Sequence, residues 1–227
     1  ARRFLPQSRP RLFVICVRNN IDLSGLTVPK PSHVFHGKRL QKFLGSASRS
    51  VRSDWVWWKL EDAPAADQAL DTVLERRSSM PWFSDADTER LISLMSPPSL
   101  ERLRIARQSG RTVVGTIYKR GRPDAQGNVR QRAELRTDGL AGCLRTPAGG
   151  ASRQILMFIK GKQTKARLVS SREVARLMGL PDSYSMPDTY NNAYRVAGDG
   201  VAVPVVGYLD EMLFAPILQR RSLEAVA

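Results

Sequence analysis

The chain has 227 residues, and its 42% hydrophobic share suffices for a packed core in one large domain or two small ones. Lys and Arg number 36 against 21 Asp and Glu, so the net charge of +15 favours a polyanionic partner such as nucleic acid over a merely soluble basic surface. No run of about 18 apolar residues occurs, and residues 1–6 lack the apolar stretch of a signal peptide, which predicts a soluble, intracellular protein without a membrane partner.

Cysteine and histidine are too scarce to favour a metal site. Cys16 and Cys143 stand in apolar surroundings, and we expect reduced, buried thiols rather than a disulfide framework. A zinc site would need both His33 and His36 together with distant ligands. We therefore predict no metal.

The first half of the chain predicts one strand, an irregular stretch and three helices. Residues 11–17 form an apolar run typical of a strand buried on both faces of a parallel sheet. Residues 20–63 are rich in Pro, Gly, Ser, Lys and Arg and favour loops, with a tryptophan cluster that we expect in a core. Helices are predicted over 66–77, from a capping pattern at Ser84, and over 98–109.

The second half predicts strands and then helices. Strands are expected over 112–119 and 153–159, with an exposed loop from Arg120 and a hairpin-like turn at Gly161. The later helices are marked by their ends. Ser170-x-x-Glu173 is a capping box, Gly179 and Pro181 stop the helix that it begins, and Pro204 suits the first turn of the last helix.

Three segments carry motifs in the order in which one enzyme family has them. They are Gln7-x-Arg9-x-Arg11, the sequence Arg-Leu-Val-Ser-Ser-Arg-Glu at 167–173, and Gly-Asp-Gly-Val from residue 198. They resemble motifs VIII, IX and X of the DNA cytosine-5 methyltransferases. The resemblance implies the C-terminal portion of such an enzyme, with an α/β fold: a partial Rossmann-like class I methyltransferase core and an inserted, irregular α+β target-recognition domain.

The resemblance also implies a domain plan and a reaction. Residues 1–19 would end the catalytic core, 20–160 would form the target-recognition domain, and 161–227 would close the core with motifs IX and X. The family transfers a methyl group from S-adenosyl-L-methionine to C5 of a flipped cytosine in a specific duplex sequence. Double-stranded DNA and S-adenosyl-L-methionine are the implied partner and cofactor, in the bacterial or phage cytoplasm, at the nucleoid, and in a restriction-modification setting.

By the same resemblance, Arg9 and Arg11 are predicted to be catalytic. Attack on C6 of cytosine moves negative charge toward O2 and N3, and a fixed guanidinium beside the ring stabilises that transition state. Arg11 matches the arginine that reaches the flipped base, and Arg9 matches its companion in the pocket. Two ordinary arginines on a surface loop are the alternative.

Residues 139–150 resemble the end of a target-recognition domain. Together with motif VIII they give the predicted DNA-contacting set, which is Gln7, Cys143, Arg145, Thr146, Gly149 and Gly150. Arg145 and Thr146 suit phosphate or base-edge contacts, and the glycines let the main chain approach DNA, although a glycine-rich hairpin without ligand is the alternative. Cys143 stands where threonine is usual and removes a hydroxyl. The arginine-rich stretch 119–136 is expected to lie along DNA or, alternatively, to be a solvated face.

The last motif is the predicted cofactor site, formed by Asp199, Gly200 and Val201. The family has asparagine where Asp199 stands, so this carboxylate would have to face the cofactor's amino group or backbone NH donors. Arg172 and Glu173 of motif IX are interpreted as structural, because capping already accounts for Glu173.

Two parts of the family's chemistry do not occur in these 227 residues. Neither cysteine follows a proline, as the family's nucleophile does, and the sequence Glu-Asn-Val is absent. The chain alone is therefore expected to be inactive, as a fragment or a split subunit whose missing N-terminal half or partner subunit carries the Pro-Cys motif. A non-catalytic basic DNA-binding module or remnant is the alternative, and an RNA-directed protein is less favoured because stacking aromatic residues are few.

Overall fold

A computed structural model describes residues 1–32, 34–62, 69–124, 126–146 and 153–224 of the chain. The chain divides into two compact units. The first comprises Ala1–Arg11 and Ala65–Pro204, and the second comprises Leu12–Pro64 and Val205–Ala227. The predicted three-part plan, with boundaries after residues 19 and 160, stays a prediction.

The described residues form a mixed α/β structure. The strands are β1 (Thr27–Val28), β2 (Trp57–Trp58), β3 (Val113–Pro123), β4 (Val129–Arg136), β5 (Ile155–Lys160) and β6 (Gln163–Leu168). The helices are α1 (Lys38–Ser46), α2 (Arg49–Asp54), α3 (Asp85–Ser93), α4 (Pro97–Gln108), α5 (Ser171–Leu177), α6 (Tyr190–Asp199), α7 (Val203–Leu209) and α8 (Ala215–Glu224). A 3₁₀ helix spans Leu70–Val73, and a π-helical turn spans Asp210–Phe214 between α7 and α8.

An antiparallel sheet in the order β4-β3-β5-β6 organises the first unit. Successive residues of β5 point to opposite faces, as the strand period requires. Ile155 and Met157 join a core with residues of α3 and α4, whereas Leu156 joins a second core with residues of α5 and α6. The sheet thus has an apolar core on each face.

The helix ends in this unit follow the local signals. Ser84 accepts a hydrogen bond from the Asp87 amide at the start of α3, and Ser170 and Glu173 form the complete capping box of α5. Gly110 and Gly179 take left-handed conformations just after α4 and α5. These predicted ends are confirmed, as is the turn at Gly161 between β5 and β6.

The second unit is built around the C-terminal helices. Leu209, Leu213 and Ile217 form its buried cluster, and Trp58 packs against them. β1 and β2 pair antiparallel, with Thr27 opposite Trp58. Residues 20–63, predicted to be loop-rich, also contain α1 and α2.

Several sequence predictions are wrong in detail. Residues 11–17 form no strand, because no described segment pairs with their backbone, and Leu12 and Val14 are exposed. Of the helix expected over 66–77, the described part forms only a 3₁₀ turn, and its start lies outside the described residues. β3 continues to Pro123, through the start of the predicted loop, because β4 pairs with it as far as Val129. Cys16 is exposed and Cys143 half-buried, so they are not two buried thiols.

By length and composition, one helical stretch among the described residues, Tyr190–Arg220, could span a membrane. Its first part contributes Tyr194 and Ala197 to a core of the first unit. Its second part contributes Leu213 and Ile217 to the core of the second unit. Apolar helices that build a globular core have this composition as well.

Candidate functional site

The segment that carries Gln7 is bound into the first unit. The Ser8 amide donates to the Ala141 carbonyl, and the Ala141 amide donates to Pro6, which aligns the segment with residue 141. Gln7 is fully buried and its Nε2 donates to the Leu177 carbonyl at 2.6 Å. The DNA contact predicted for Gln7 stays a prediction. The burial of its side chain does not favour such a contact.

Arg9 is a buried cation held by backbone carbonyls. Its side chain is only 2% exposed, and its two terminal nitrogens donate to the carbonyls of Leu144, Gly198 and Gly200. The last two carbonyls lie at the C-terminal end of α6, where the helix dipole favours a positive charge. Arg9 therefore joins motif VIII to two segments that lie more than 130 residues further along the chain.

Arg11 has a different environment, although it is only two residues away. Its guanidinium is exposed, and its Nη1 donates to the carbonyl of Pro10 at 3.0 Å. The Cys143 Sγ lies 4.0 Å from this nitrogen and 3.8 Å from Arg9 Nη1. The predicted catalytic pair thus consists of one buried and one accessible arginine, with Cys143 beside both.

The backbone of residues 142–144 is fixed by side chains that the motifs did not indicate. The Tyr118 hydroxyl donates to the Cys143 carbonyl at 2.7 Å, and burial raises the pKa of Tyr118, so the hydroxyl remains a donor. Gln154 is fully buried, accepts from the Gly142 amide and donates to Ile117. The one sequence signal for this role is a glutamine placed directly before an apolar strand.

The same loop meets the end of α6. The Thr146 hydroxyl donates to the carboxylate of Asp199. A side chain at Gly198 would place its Cβ 2.4 Å from the Thr146 nitrogen, so only glycine allows this approach. Arg145 is exposed. Gly149 and Gly150, predicted to contact DNA, lie outside the described residues.

The three predicted cofactor residues offer only part of a cofactor site. Asp199 is exposed but already accepts from Thr146, the Gly200 carbonyl accepts from Arg9, and Val201 is exposed. One surface carboxylate and one exposed apolar side chain fit the edge of a site for S-adenosylmethionine. The carboxylate could accept a hydrogen bond from the amino group of that cofactor. A complete pocket needs further residues.

A cavity of about 310 Å³ opens beside Cys143. Residues of β3 and β4, the 142–145 loop and the segment after Gln7 line it, among them Arg120, Arg136, Arg145 and Glu134. The cavity is thus largely polar, with more positive than negative side chains. It is suited to an anionic group rather than to an apolar ligand.

Most arginines of β3 and β4 are ion-paired with acidic neighbours, with three carboxylates serving four arginines. Arg120 and Arg122 both pair with Glu134 across the two strands. Arg130 pairs with Asp124, and Arg136 pairs with Asp138. The expectation that this stretch lies along DNA stays a prediction, and its available positive charge is smaller than the sequence indicates. Within the described ranges, no group of three or more His, Cys, Asp or Glu could hold a metal ion.

The chain is similar to known DNA methyltransferases. A family model described as C-5 cytosine-specific DNA methylase matches residues 4–215. The type II methyltransferase M.HhaI of Haemophilus parahaemolyticus is 23% identical over 206 residues, which cover 90% of this chain and 48% of that protein. The type II methyltransferases M.SsoII of Shigella sonnei and M.BsuFI of Bacillus subtilis are 31% and 41% identical over 61 and 49 residues, or 27% and 22% of this chain and 16% and 12% of theirs. The chain therefore spans about half the length of M.HhaI.

Proposed function

The chain belongs to the C-5 cytosine-specific DNA methylase family, and from that premise we propose that it is the DNA-recognition and base-clamping part of a DNA (cytosine-5-)-methyltransferase. The complete enzyme transfers a methyl group from S-adenosyl-L-methionine to C5 of a flipped cytosine in duplex DNA. The observation that carries the proposal is the meeting of residues 7–11, 143–146 and 198–200 around Arg9. These segments hold most of the residues that the family motifs predict for base, DNA and cofactor.

Within this proposal the two arginines have separate tasks. Arg11 is the catalytic residue, because its exposed guanidinium is free to meet the O2 and N3 edge of cytosine as negative charge develops there. Arg9 is a positioning residue, because its two terminal nitrogens are occupied by three carbonyls. It holds Cys143 and the end of α6 in place beside the base.

The DNA-contacting surface would run from Arg11 over the 143–146 loop to the polar cavity. Arg145 is exposed and suits a phosphate or base-edge contact. The cavity between β3, β4 and the loop would hold an anionic group of the DNA backbone, with Arg145 on its wall as the cation; Arg120 and Arg136, also on the wall, are already paired with Glu134 and Asp138. Gln7, buried beneath this surface, would support it rather than touch DNA.

The cofactor would meet this chain only at its edge, at Asp199 and Val201. S-adenosylmethionine supplies the methyl group. The nucleophilic Pro-Cys and the Glu-Asn-Val sequence would come from a second part of the enzyme, in the same protein or as a partner subunit. Alone, the chain would bind DNA and not methylate it. We place the enzyme in the bacterial or phage cytoplasm, at the nucleoid, without a membrane or metal partner. The type II names of its relatives suggest that it acts beside a restriction enzyme.

The proposal is tested by reconstitution. The chain is combined with a methyltransferase part that bears Pro-Cys and Glu-Asn-Val, and transfer of tritiated methyl from S-adenosylmethionine to mixed-sequence DNA is measured. Arg11→Ala should abolish transfer while DNA affinity stays nearly unchanged, and the exposed Arg18→Ala serves as control. If no pairing yields transfer, or if Arg11→Ala weakens only salt-sensitive DNA binding, the chain is a non-catalytic DNA-binding module instead.

A further inference from the structure

We propose that α1 and α2 form a second DNA-binding surface, which holds phosphates of the duplex without reading its sequence. The surface consists of five cations, Lys38, Arg39, Lys42, Arg49 and Arg52, and is called the helix-pair surface here. It deepens the proposed function and rests on it for the identity of the polyanion. None of the predicted DNA-contacting residues belongs to it.

The charge of this segment is strongly positive. Residues 37–54, which span both helices, contain all five cations and one carboxylate, Asp54, the last residue of α2. All five side chains are exposed, and none is ion-paired or hydrogen-bonded in the part of the chain that the structure describes. Unpaired surface cations favour binding to DNA phosphates, because each such contact releases counterions that are condensed on the duplex.

The arrangement of α1 presents its charge to one side. At 3.6 residues per turn, Lys38, Arg39 and Lys42 fall on one side of the helix, whereas Leu40 and Leu44 fall on the other. The two leucines are half-buried, so the apolar side is partly covered and the cationic side faces solvent. Only Ala47 and Ser48 separate α1 from α2, whose Arg49 and Arg52 are one turn apart.

The contrast with β3 and β4 strengthens the inference. Four arginines of that ribbon are each paired with Asp124, Glu134 or Asp138. A duplex must displace those carboxylates before it gains the arginines, whereas the helix-pair surface needs no such exchange. From the sequence, only the arginine-rich stretch 119–136 is expected to lie along DNA. Because most arginines of β3 and β4 are ion-paired, the helix-pair surface has more positive charge available for phosphates.

A duplex is favoured over a membrane as the occupant. A membrane-surface helix buries a continuous apolar face in the headgroup region. Here the apolar side of α1 is partly covered within the protein, and the exposed hydrophobic residues of the two helices are Phe43 and Val51, one on each helix.

The test compares two variants that lose the same charge. Lys38→Gln/Arg39→Gln/Lys42→Gln changes the helix-pair surface, and Lys160→Gln/Lys162→Gln/Lys165→Gln removes three exposed lysines from β5, β6 and their turn. Affinity for a short duplex of arbitrary sequence is measured by fluorescence anisotropy across a salt series, with thermal unfolding as a check of folding. The α1 variant should make the slope of log K against log salt shallower by about 2 to 3, and the lysine control should change it much less.

The outcomes separate this inference from the proposed function. Equal slopes for the two variants would overturn the helix-pair surface and leave the methyltransferase assignment intact. If the unchanged chain binds no duplex even at low salt, the proposed function fails as well. If the α1 variant keeps its duplex affinity but loses binding to vesicles that contain phosphatidylserine, the surface belongs to a membrane and the inference is wrong.

Discussion

At the scale of single residues, Arg9 and Arg11 show how two positions of one motif can take opposite roles. Arg9 is buried without a carboxylate partner and is held by the carbonyls of Leu144, Gly198 and Gly200. Arg11 is exposed and donates to the adjacent Pro10. A buried donor is costly to remove because its acceptors lose their partners, whereas an exposed one is replaced by water.

We expect Arg9→Met, which keeps a side chain of comparable length, to lower the free energy of unfolding by about 3 kcal/mol, since two buried carbonyls and one partly buried carbonyl lose a charged donor. Arg11→Met, the matched control, should change it by less than about 0.5 kcal/mol. Urea unfolding followed by tryptophan fluorescence measures both. Equal losses would mean that Arg9 does not hold the three segments together.

The motifs indicated which segments hold the site residues, but they did not indicate which of the two arginines is buried. Motif order implied that Arg9, Cys143 and Asp199 belong to neighbouring sites, and the structure brings them together through Arg9 and Thr146. Which arginine is buried depends on carbonyls 135 and 189 residues away. No local pattern encodes such a distance. For the same reason Tyr118 and Gln154 were missed.

At the scale of secondary-structure elements, a buried ion pair ties β6 to α5. Arg167 donates to both oxygens of Glu173 at 2.6 and 2.7 Å, and both side chains are buried. Glu173 also accepts from the amides of Ser170 and Glu75. Glu173 is therefore the capping residue of α5 and the counter-ion of Arg167 at once, which supports its structural interpretation.

Glu173→Gln should destabilise the chain by about 3 kcal/mol or more, because the buried Arg167 then lacks its counter-charge. Glu101→Gln, which breaks the exposed pair with Arg104, should cost far less. Unfolding midpoints in urea compare the two variants. A loss no larger than that of Glu101→Gln would show that Arg167 is satisfied without Glu173.

The same pair predicts a dependence on pH. Burial raises the pKa of Glu173, but the hydrogen bonds from Arg167 and from the amides of Ser170 and Glu75 outweigh it and hold the pKa below its ordinary value. A carboxyl with a lowered pKa stabilises the folded chain above the unfolded pKa, about 4.3, and this stabilisation is lost as pH falls through the folded value. Unfolding at stepped pH should show a larger loss in the unchanged chain than in Glu173→Gln, in which only the other carboxyls of lowered pKa, such as Asp138 and Asp182, still contribute.

The end of α5 offers a second test at this scale. Gly179 and Gly161 both have positive φ, but a Cβ at Gly179 would lie 2.4 Å from Pro204, whereas nothing lies within 4 Å of one at Gly161. Gly161→Ala should cost about 1 to 2 kcal/mol from backbone conformation alone. Gly179→Ala should cost clearly more. Thermal unfolding of both variants measures the difference, and equal shifts would contradict the close approach of Pro204.

Elements marked by local chemistry could be predicted, and elements that depend on remote partners could not. Ser84, Ser170 and Gly179 mark helix ends through bonds within a few residues. Residues 11–17 have the composition of a buried strand, but a strand exists only where another backbone pairs with it. α6 ends inside the third motif and was missed, although Thr189 caps it by accepting a hydrogen bond from the Asn192 amide; Asn192 stands where a capping box would have Glu or Gln.

At the scale of the whole molecule, the positive side chains behind the net charge of +15 are not all available to bind a polyanion. Ion pairs neutralise several arginines of β3 and β4, whereas those of α1 and α2 remain unpaired within the described residues. Composition gives the total charge but not its pairing, which depends on cross-strand register. The proposed helix-pair surface thus assigns the polyanion that composition predicts to α1 and α2.

The exposed apolar residues of the 11–17 segment lead to a prediction about assembly. Leu12 and Val14 are 65% and 68% exposed, although their segment has the composition of a buried strand. If the chain works with a second methyltransferase part, as we propose, we expect that part to cover them. Leu12→Asp/Val14→Asp should then reduce binding of that part, and methyl transfer after reconstitution, at least tenfold without lowering the thermal stability of the chain itself. Ile105→Asp/Val129→Asp replaces two other exposed hydrophobic residues, which are 56% and 77% exposed, and should leave both binding and methyl transfer unchanged. Titration by calorimetry measures the binding, and equal affinity for the two variants would mean that the second part docks on another surface.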